Sequence, residues 1–313
     1  MLNKDSISII GAGISGLACA AKLKRAGFNP VVFDKGRGIG GRMATRRTDT
    51  GLQFDHGAQH IKAKTPEFQA VLDSALRSGM IAKWDFGYDS RYVGVPGMNG
   101  LAKFLAQGID VRQGTHITAI EETETGCELT IDAETHSVST LVVTVPAPQA
   151  GGLLGVDHPL AKDLAKVEIE PCLTLMVALH EEARPGFLAK RDTNNPISWI
   201  ALDSSKPGRE TENCWVAQAS PDWSKQHLEE DPSAIAELML PLVCDQLGVT
   251  SSNIRHAVAH RWRYAAVSKP LGKPFLKNDA NTLYLGGDWC LDARVEAAWS
   301  SGDKIATDIL CSA

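Results

Sequence analysis

The residues whose types and spacing suit chemistry begin at Gly11, Gly13 and Gly16, a Gly-x-Gly-x-x-Gly turn with Ala12, Ile14 and Ser15 in the gaps. The first glycine permits a tight turn, the second lets backbone approach a pyrophosphate, and the third lets a helix pack close to a strand. The free N–H groups at that helix start attract phosphate. Asp34 stands 23 residues after Gly11, close to the ~20 expected of an acid that hydrogen-bonds a ribose. Lys35, Arg37, Gly40, Gly41, Arg42 and Met43 follow at once, and arginine offers a fork of donors that suits a second phosphate. This is the chemistry of holding a dinucleotide. His56 and His60 are four apart, like ligands on a metal-binding helix, but Gly57 separates them and no third ligand accompanies them, so no metal is expected. The chain contains no Gly-x-Ser-x-Gly, His-Glu-x-x-His or Walker loop, so a bound cofactor must carry the reaction.

The elements that must position these residues are legible in order. A β-branched run over 6–10 predicts a strand, 17–26 a helix, and 30–34 a second strand ending in the acid. Thr65, Pro66 and Glu67 read as N-cap, first-turn proline and first-turn acid of a helix running to about 78. Residues 84–88 and 91–95 read as an aromatic hairpin, its turn near Asp89-Ser90, whose rings either pack the lobe or form a substrate cage. Strands over 115–121, 127–131 and 137–144 predict a meander over the nucleotide lobe. From about 150 to 270 the pattern changes to strands over 172–180, 197–204, 213–219 and 254–264, with helices near 159–167 and 232–247. On the 254–264 strand, period 2 places His256, Val258, His260, Trp262 and Tyr264 on one face and Arg261 and Arg263 on the other. A returning strand then ends in Gly287-Asp288, followed by a helix from about Val295, whose positive end suits negative charge.

Composition narrows the class. The chain has 313 residues, 43% hydrophobic and 22% charged, with a formal net charge of −5, which describes an ordinary globular protein with no basic field for nucleic acid or anionic membranes. At this length two lobes are expected. No run approaches the ~20 apolar residues that span a bilayer. The apolar start imitates a leader, but its middle is the glycine turn itself, so the chain is expected to begin at residue 1 and stay cytoplasmic. Seven scattered cysteines without a Cys-x-x-Cys pair predict reduced thiols, mostly in the core.

The glycine turn, the acid and Gly40-Gly41-Arg42-Met43 together resemble the FAD site of the flavin amine oxidases and their relatives. Phe54-Asp55-His56-Gly57-Ala58-Gln59-His60-Ile61 is similar to the family's segment beside the flavin ring. Alone, the turn suggests an NAD dehydrogenase; the resemblance moves the cofactor to FAD, expected to be non-covalent. It implies an α/β two-lobe fold: a Rossmann-like FAD-binding domain (1–64, 97–150 and 270–313) and a mixed-sheet substrate domain (65–96 and 151–269). It also implies that Ala58, Gln59 and His60 lie near the ring, that backbone at Ile117 meets the adenine, that Gly287 and Asp288 contact the ribityl chain or pyrophosphate, and that Val295 starts the helix aimed at the ring.

Amine oxidases of this superfamily have an aromatic cage wall at the position occupied here by Arg294. A guanidinium repels an ammonium and attracts an anion, so a simple amine is disfavoured. With Arg261-Trp262-Arg263, the combined pattern is most similar to the bacterial renalases. That resemblance implies an oxidase that takes a hydride from 2- or 6-dihydro isomers of NAD(P), gives NAD(P)+, and makes hydrogen peroxide from dioxygen. The expected substrate pocket draws on Gln59, His60, Trp262 and Arg294. A flavin amine oxidase or carotenoid-type desaturase, and a non-catalytic FAD-binding module, are the alternatives.

Overall fold

The computed structural model describes residues 6–86, 91–209 and 213–312. Strand Ile7–Ile10 is buried along its whole length and sits inside a six-stranded sheet. The strand order is Leu276–Lys277, Leu283–Leu285, Thr140–Val143, Ile7–Ile10, Val31–Asp34 and Asp110–Gln113. All neighbours run parallel except Leu276–Lys277. A parallel sheet has both faces covered, which is why its central strands are apolar without alternation. Ile7, Ile9, Val32 and Val142 pack under helices Ile14–Arg25 and Val295–Ser312, whereas Ile10, Phe33, Leu141 and Val143 pack under a three-stranded meander. The two helices touch at Gly302, where an added Cβ would lie 1.9 Å from the Ser15 carbonyl oxygen. A glycine is required there for the helices to approach.

The meander is Ile117–Thr123, Gly126–Ile131 and Glu134–Val138. The run over 137–144, read as one meander strand, is instead divided. Ser139 hydrogen-bonds Ser6 through its N–H and hydroxyl, and beyond it Thr140–Val143 enters the parallel sheet beside Ile7–Ile10. Thr65 caps helix Pro66–Arg77 by accepting from the Phe68 N–H, as its sequence predicts. This helix and the hairpin Ile81–Trp84 with Arg91–Gly94 bury Phe68, Leu72, Trp84 and Val93 in one cluster with Ile7 and Leu17. Helix Pro66–Arg77 and this hairpin, expected in the substrate domain, thus share a buried cluster with strand Ile7–Ile10. The expected turn at Asp89-Ser90 lies outside the described residues.

The second lobe is a five-stranded antiparallel sheet in the order Ala189–Arg191, Ile197–Leu202, Cys214–Ala219, Glu168–Leu179, Ile254–Lys269. One face buries Leu173, Leu175, Val177, Trp215 and Ala217 against helix Pro232–Leu247. The other presents Met176, Ala178, Cys214 and Val216 to Leu52 and Phe54 of the first lobe. Alternation along each strand thus separates a self-contained core from an inter-lobe face. The helix expected near 159–167 is a single short turn, Ala161–Leu164. All seven cysteines are free, five of them buried. No helix among the described residues is long and apolar enough to cross a membrane.

Candidate functional site

The glycine turn is built as its spacing predicts. Gly11 adopts φ +105°, and a Cβ on Gly16 would lie 2.0 Å from the Gly11 carbonyl oxygen. A Cβ on Gly13 would meet nothing within 4 Å, so the second glycine faces open space where a ligand can approach. The second loop lies directly on the first: the Gly40 N–H donates to the Ala12 carbonyl at 2.8 Å, and Gly41 (φ +54°) stands over the Gly13 Cα. Asp34 accepts from the Ala12 N–H at 2.6 Å and the Gly36 N–H at 2.7 Å. Ser15, in the first turn of helix Ile14–Arg25, has a buried hydroxyl with no partner among the described residues. Gly13 caps that helix without a side-chain hydrogen bond. An orphaned hydroxyl, uncapped N–H groups and a double glycine cradle fit the pyrophosphate of a dinucleotide. Lys35 and Arg37 are exposed beside this cradle, and Met43 is buried under it. Ile117 packs its side chain with Ile10 and Phe33.

Two residues expected at the cofactor, Arg42 and Asp288, pair with each other. Arg42 donates from Nη1 and Nη2 to the two Asp288 carboxylate oxygens at 2.7 and 2.6 Å, and from Nη1 to the Ala265 carbonyl at 3.0 Å. Ala265 lies where the strand Ile254–Lys269 bulges between its pairings at Trp262 and Ala266. The guanidinium fork therefore joins the returning Gly287-Asp288 strand end to the second lobe. Gly287 donates its N–H to Ser301 Oγ at 3.0 Å, which seats that strand end against the helix begun by Val295.

The segment from Asp55 to His60 crosses between the lobes over a buried charge network. Asp55 accepts from Arg209 Nη2 at 2.5 Å, Lys206 Nζ at 3.4 Å, Thr45 Oγ1 at 2.7 Å and the Met98 N–H at 2.8 Å. Lys206 also donates to Asp203 Oδ1 at 2.6 Å and to Gln59 Oε1 at 3.1 Å. The Lys206, Asp55 and Arg209 side chains have no solvent exposure. Burial alone would raise the Asp55 carboxyl, but Lys206, Arg209 and its hydrogen bonds hold it below the usual range. Burial raises Asp203, and the neighbouring Asp55 charge adds to that. Gln59 Nε2 donates to the Asp55 and Gly57 carbonyls at 2.6 and 3.0 Å, so its amide is fully oriented by this network.

Gly57 has no room for a side chain, since a Cβ would lie 2.0 Å from the Arg42 carbonyl oxygen. His56 and His60 diverge on either side of it. His56 stacks on Trp262 at 5.1 Å and meets His260 edge-on at 4.6 Å, while Trp262 donates its indole N–H to the His56 carbonyl at 2.8 Å. His60 faces Trp199 and Phe86, at 5.8 and 6.2 Å between ring centroids. Burial pushes His56, His60 and His260 down to about 4; for His60 the charges of Arg91, Lys206, Arg191 and Lys62 add to the shift. All three are neutral imidazoles at physiological pH.

A cavity of about 440 Å³ opens where this segment faces the second sheet, lined by Gln59, His60, Trp199, Gln218, Arg191 and Ser198 among others, none of them acidic. Its size is that of a small-molecule site. Gln59 and His60 are thus brought together as expected. Trp262 packs on the far side of Gly57, its ring carbon 3.4 Å from where a Cβ would sit. Arg294 does not line the cavity: Asp292, two residues earlier, captures its guanidinium at 2.6 Å. Sequence reasoning missed Trp199, Gln218, Asp203, Lys206 and Arg209. It also missed Glu296, whose carboxylate accepts from the N–H groups of Lys64 and Thr65 at 2.9 and 2.7 Å and so ties the final helix to the chain just after His60. Trp199 and Gln218 stand opposite each other on strands Ile197–Leu202 and Cys214–Ala219 next to a register shift, a pairing that alternation within either strand does not show. Nothing in the 203–209 stretch marks its charges as buried.

A two-lobe nucleotide-binding fold with a small-molecule cavity at the lobe interface defines a nucleotide-cofactor-binding protein. The chain belongs to the family of flavin containing amine oxidoreductases, whose model matches residues 72–310, preceded by a NAD(P)-binding Rossmann-like domain at residues 9–75. FAD is accordingly its cofactor, and the glycine cradle fits it. A crystal structure of a protoporphyrinogen-oxidase-like protein from Exiguobacterium sp. 255-15 superposes with a TM-score of 0.78 at 13% identity, covering 100% of both chains. Wild-type putrescine oxidase bound to putrescine gives 0.74 at 14% identity, over 98% of this chain and 99% of that one. These likenesses are of fold. Protoporphyrinogen oxidase 2 of Arabidopsis thaliana is 36% identical over 97 residues, which is 29% of this chain and 18% of that protein. A 4,4'-diapophytoene desaturase of Staphylococcus haemolyticus is 43% identical over 51 residues, 16% of this chain and 10% of that enzyme. The matched stretches span under a fifth of these relatives.

Proposed function

We propose that the protein is an oxidase of 2- and 6-dihydro isomers of NAD(P). The donor loses a hydride, dioxygen gains that hydride and a proton from solvent, and the products are NAD(P)+ and hydrogen peroxide. FAD, when bound, supplies the two-electron acceptor between donor and dioxygen. The observation that carries this reading is the cavity's charge: arginine on its wall, cations around His60, and no carboxylate among its lining residues. Such a site favours an anionic donor and opposes an ammonium. The similarity of Gly40-Gly41-Arg42-Met43 and Arg261-Trp262-Arg263 to the bacterial renalases supports the same choice.

In this reading the Gly11–Gly16 turn, Ser15, Asp34 and the Gly40-Gly41 backbone hold the cofactor's phosphates and ribose, with the Ile117 backbone at the adenine. The start of helix Val295–Ser312 directs its dipole at negative charge on the ring. Lys206 fixes the Gln59 amide, and His60 and Trp199 give flat walls against which a planar ring is oriented. Hydride removal requires no protein base, and no carboxylate lines the cavity. The chain's contribution is therefore position and exclusion of competing reactions. The test is a substrate panel under air with peroxide as readout. Peroxide from either dihydro isomer and none from putrescine or other amines is the expected result; peroxide from amines alone would overturn the proposal.

A further inference from the structure

One row of side chains crosses the second sheet toward the first lobe. Arg191 pairs with Trp199, Trp199 with Gln218, Gln218 with Thr174, and Thr174 with His260. Directly opposed residues in antiparallel strands project to the same face, with Cβ atoms roughly 4.5–5.5 Å apart. The inner part of the row is committed: Gln218 Nε2 donates to the Gly57 carbonyl at 2.7 Å, and His260 meets His56. The outer part is not. Trp199 Nε1 and His60 Nδ1 are buried and without hydrogen-bond partners among the described residues, and both side chains line the cavity. Buried polar groups need partners, so the pair points to a ligand with hydrogen-bonding groups around a flat ring. Arg191 closes the row on the short edge strand Ala189–Arg191, exposed and with no ion-pair partner among the described residues. The adjacent Asp192 is turned into the following loop, where it accepts the Asn194 N–H at 3.1 Å.

We propose that Arg191 is a specificity-determining residue that takes a phosphate of the substrate's pyrophosphate, while the nicotinamide ring lies in the cavity against the wall formed by Trp199 and His60. This rests on the dihydronicotinamide reading above. A ring lodged at Trp199 sends its ribose and phosphate outward along the row, and the next side chain in that direction is the arginine. A guanidinium matches two phosphate oxygens at once. The contact is made equally by substrate and product, so it governs affinity rather than the rate of hydride loss.

The test is isothermal titration of FAD-loaded wild type, Arg191→Gln and Arg191→Lys with NAD+ and with nicotinamide riboside, which lacks the phosphates. Arg191→Gln is expected to weaken NAD+ binding by about tenfold and to leave riboside affinity unchanged. Arg191→Lys should fall between wild type and Arg191→Gln. In turnover, Arg191→Gln should raise KM for a dihydro isomer of NAD with kcat preserved. Arg191 is an exposed edge residue, and an unchanged melting temperature checks the fold. NAD+ affinity unaffected by Arg191→Gln, or equal losses for NAD+ and the riboside, would overturn the assignment while the oxidase reading stands. Failure of wild type to bind either ligand or to oxidise either isomer would overturn both.

Discussion

Replacing Lys206 with methionine keeps most of its length while removing the ammonium group from the charge network between the lobes. In the folded protein that group is 2.6 Å from Asp203 and 3.4 Å from Asp55, with no solvent exposure. Asp55 retains Arg209, Thr45 and the Met98 N–H. Among the described residues, Asp203 retains only the Asp55 N–H at 3.1 Å as a hydrogen-bond donor to its carboxylate. The loss therefore falls on a buried carboxylate left without its cation, a situation that costs about 3–5 kcal/mol. That is a large part of the roughly 5–15 kcal/mol by which folded domains are stable. Adding Asp203→Asn removes the stranded charge and should recover at least half of the loss. The assay is equilibrium urea unfolding of wild type, both single variants and the double variant, with FAD at fixed excess, read as a double-mutant cycle. The penalty also has a pH signature. Asp203 is already raised by burial, and without Lys206 it rises further. The folded variant then binds a proton that the unfolded chain, with a pKa of about 3.9, has released. Its deficit relative to wild type should shrink as pH falls and widen as pH rises through that window. A loss under about 1 kcal/mol, or a double variant worse than Lys206→Met alone, would refute the reasoning.

Three further outcomes are expected. His56, His60 and His260 titrate at about 4 in the folded protein against about 6.5 unfolded. The unfolded chain therefore takes up protons first, and stability should fall as pH drops from 6.5 toward 4, by at most about 4 kcal/mol per pH unit for three groups. A urea midpoint flat across that range would contradict the burial. Ser15→Ala removes an unpartnered buried hydroxyl, so it should leave the apoprotein's melting temperature unchanged or higher while weakening FAD about tenfold, as measured by fluorescence titration; unchanged FAD affinity would exclude Ser15 from the phosphate site. Denaturation should release the yellow cofactor into the filtrate, and colour retained on the unfolded chain would show covalent attachment.

The parts of the fold that were legible in the sequence are those set by local physics. The glycine turn, the Thr65 cap and the helix Pro232–Leu247 are written in adjacent residues, and the structure builds them as read. Period 2 on the strand Ile254–Lys269 correctly grouped Val258, His260 and Trp262 on the inter-lobe face. What escaped depends on distant partners. Arg42 and Asp288 are 246 residues apart, and nothing local in a basic loop near phosphates shows that its arginine pairs with a distant carboxylate. Thr140–Val143 joins the parallel sheet by pairing with Ile7–Ile10 and Leu283–Leu285, both distant in sequence. Lys206 in a Ser-Lys-Pro loop reads as a solvated charge, since nothing local shows that two lobes close over it. Arg191 sits on a three-residue edge strand too short to leave a pattern. The expectation of an arginine for an anionic substrate pointed to Arg294, whose guanidinium Asp292 holds, and the proposed contact moves to Arg191.

The most direct measurement of the central claim is anaerobic rapid mixing of the FAD-loaded protein with 2-dihydro-NAD, 6-dihydro-NAD, ordinary 4-dihydro-NAD and putrescine in turn, following the visible absorbance of the flavin. The account predicts fast bleaching by the 2- or 6-dihydro isomer, with one NAD+ formed per FAD. Admission of air should return the colour with one hydrogen peroxide produced. Absorbance unmoved by both isomers, or bleached only by the amine, would contradict it.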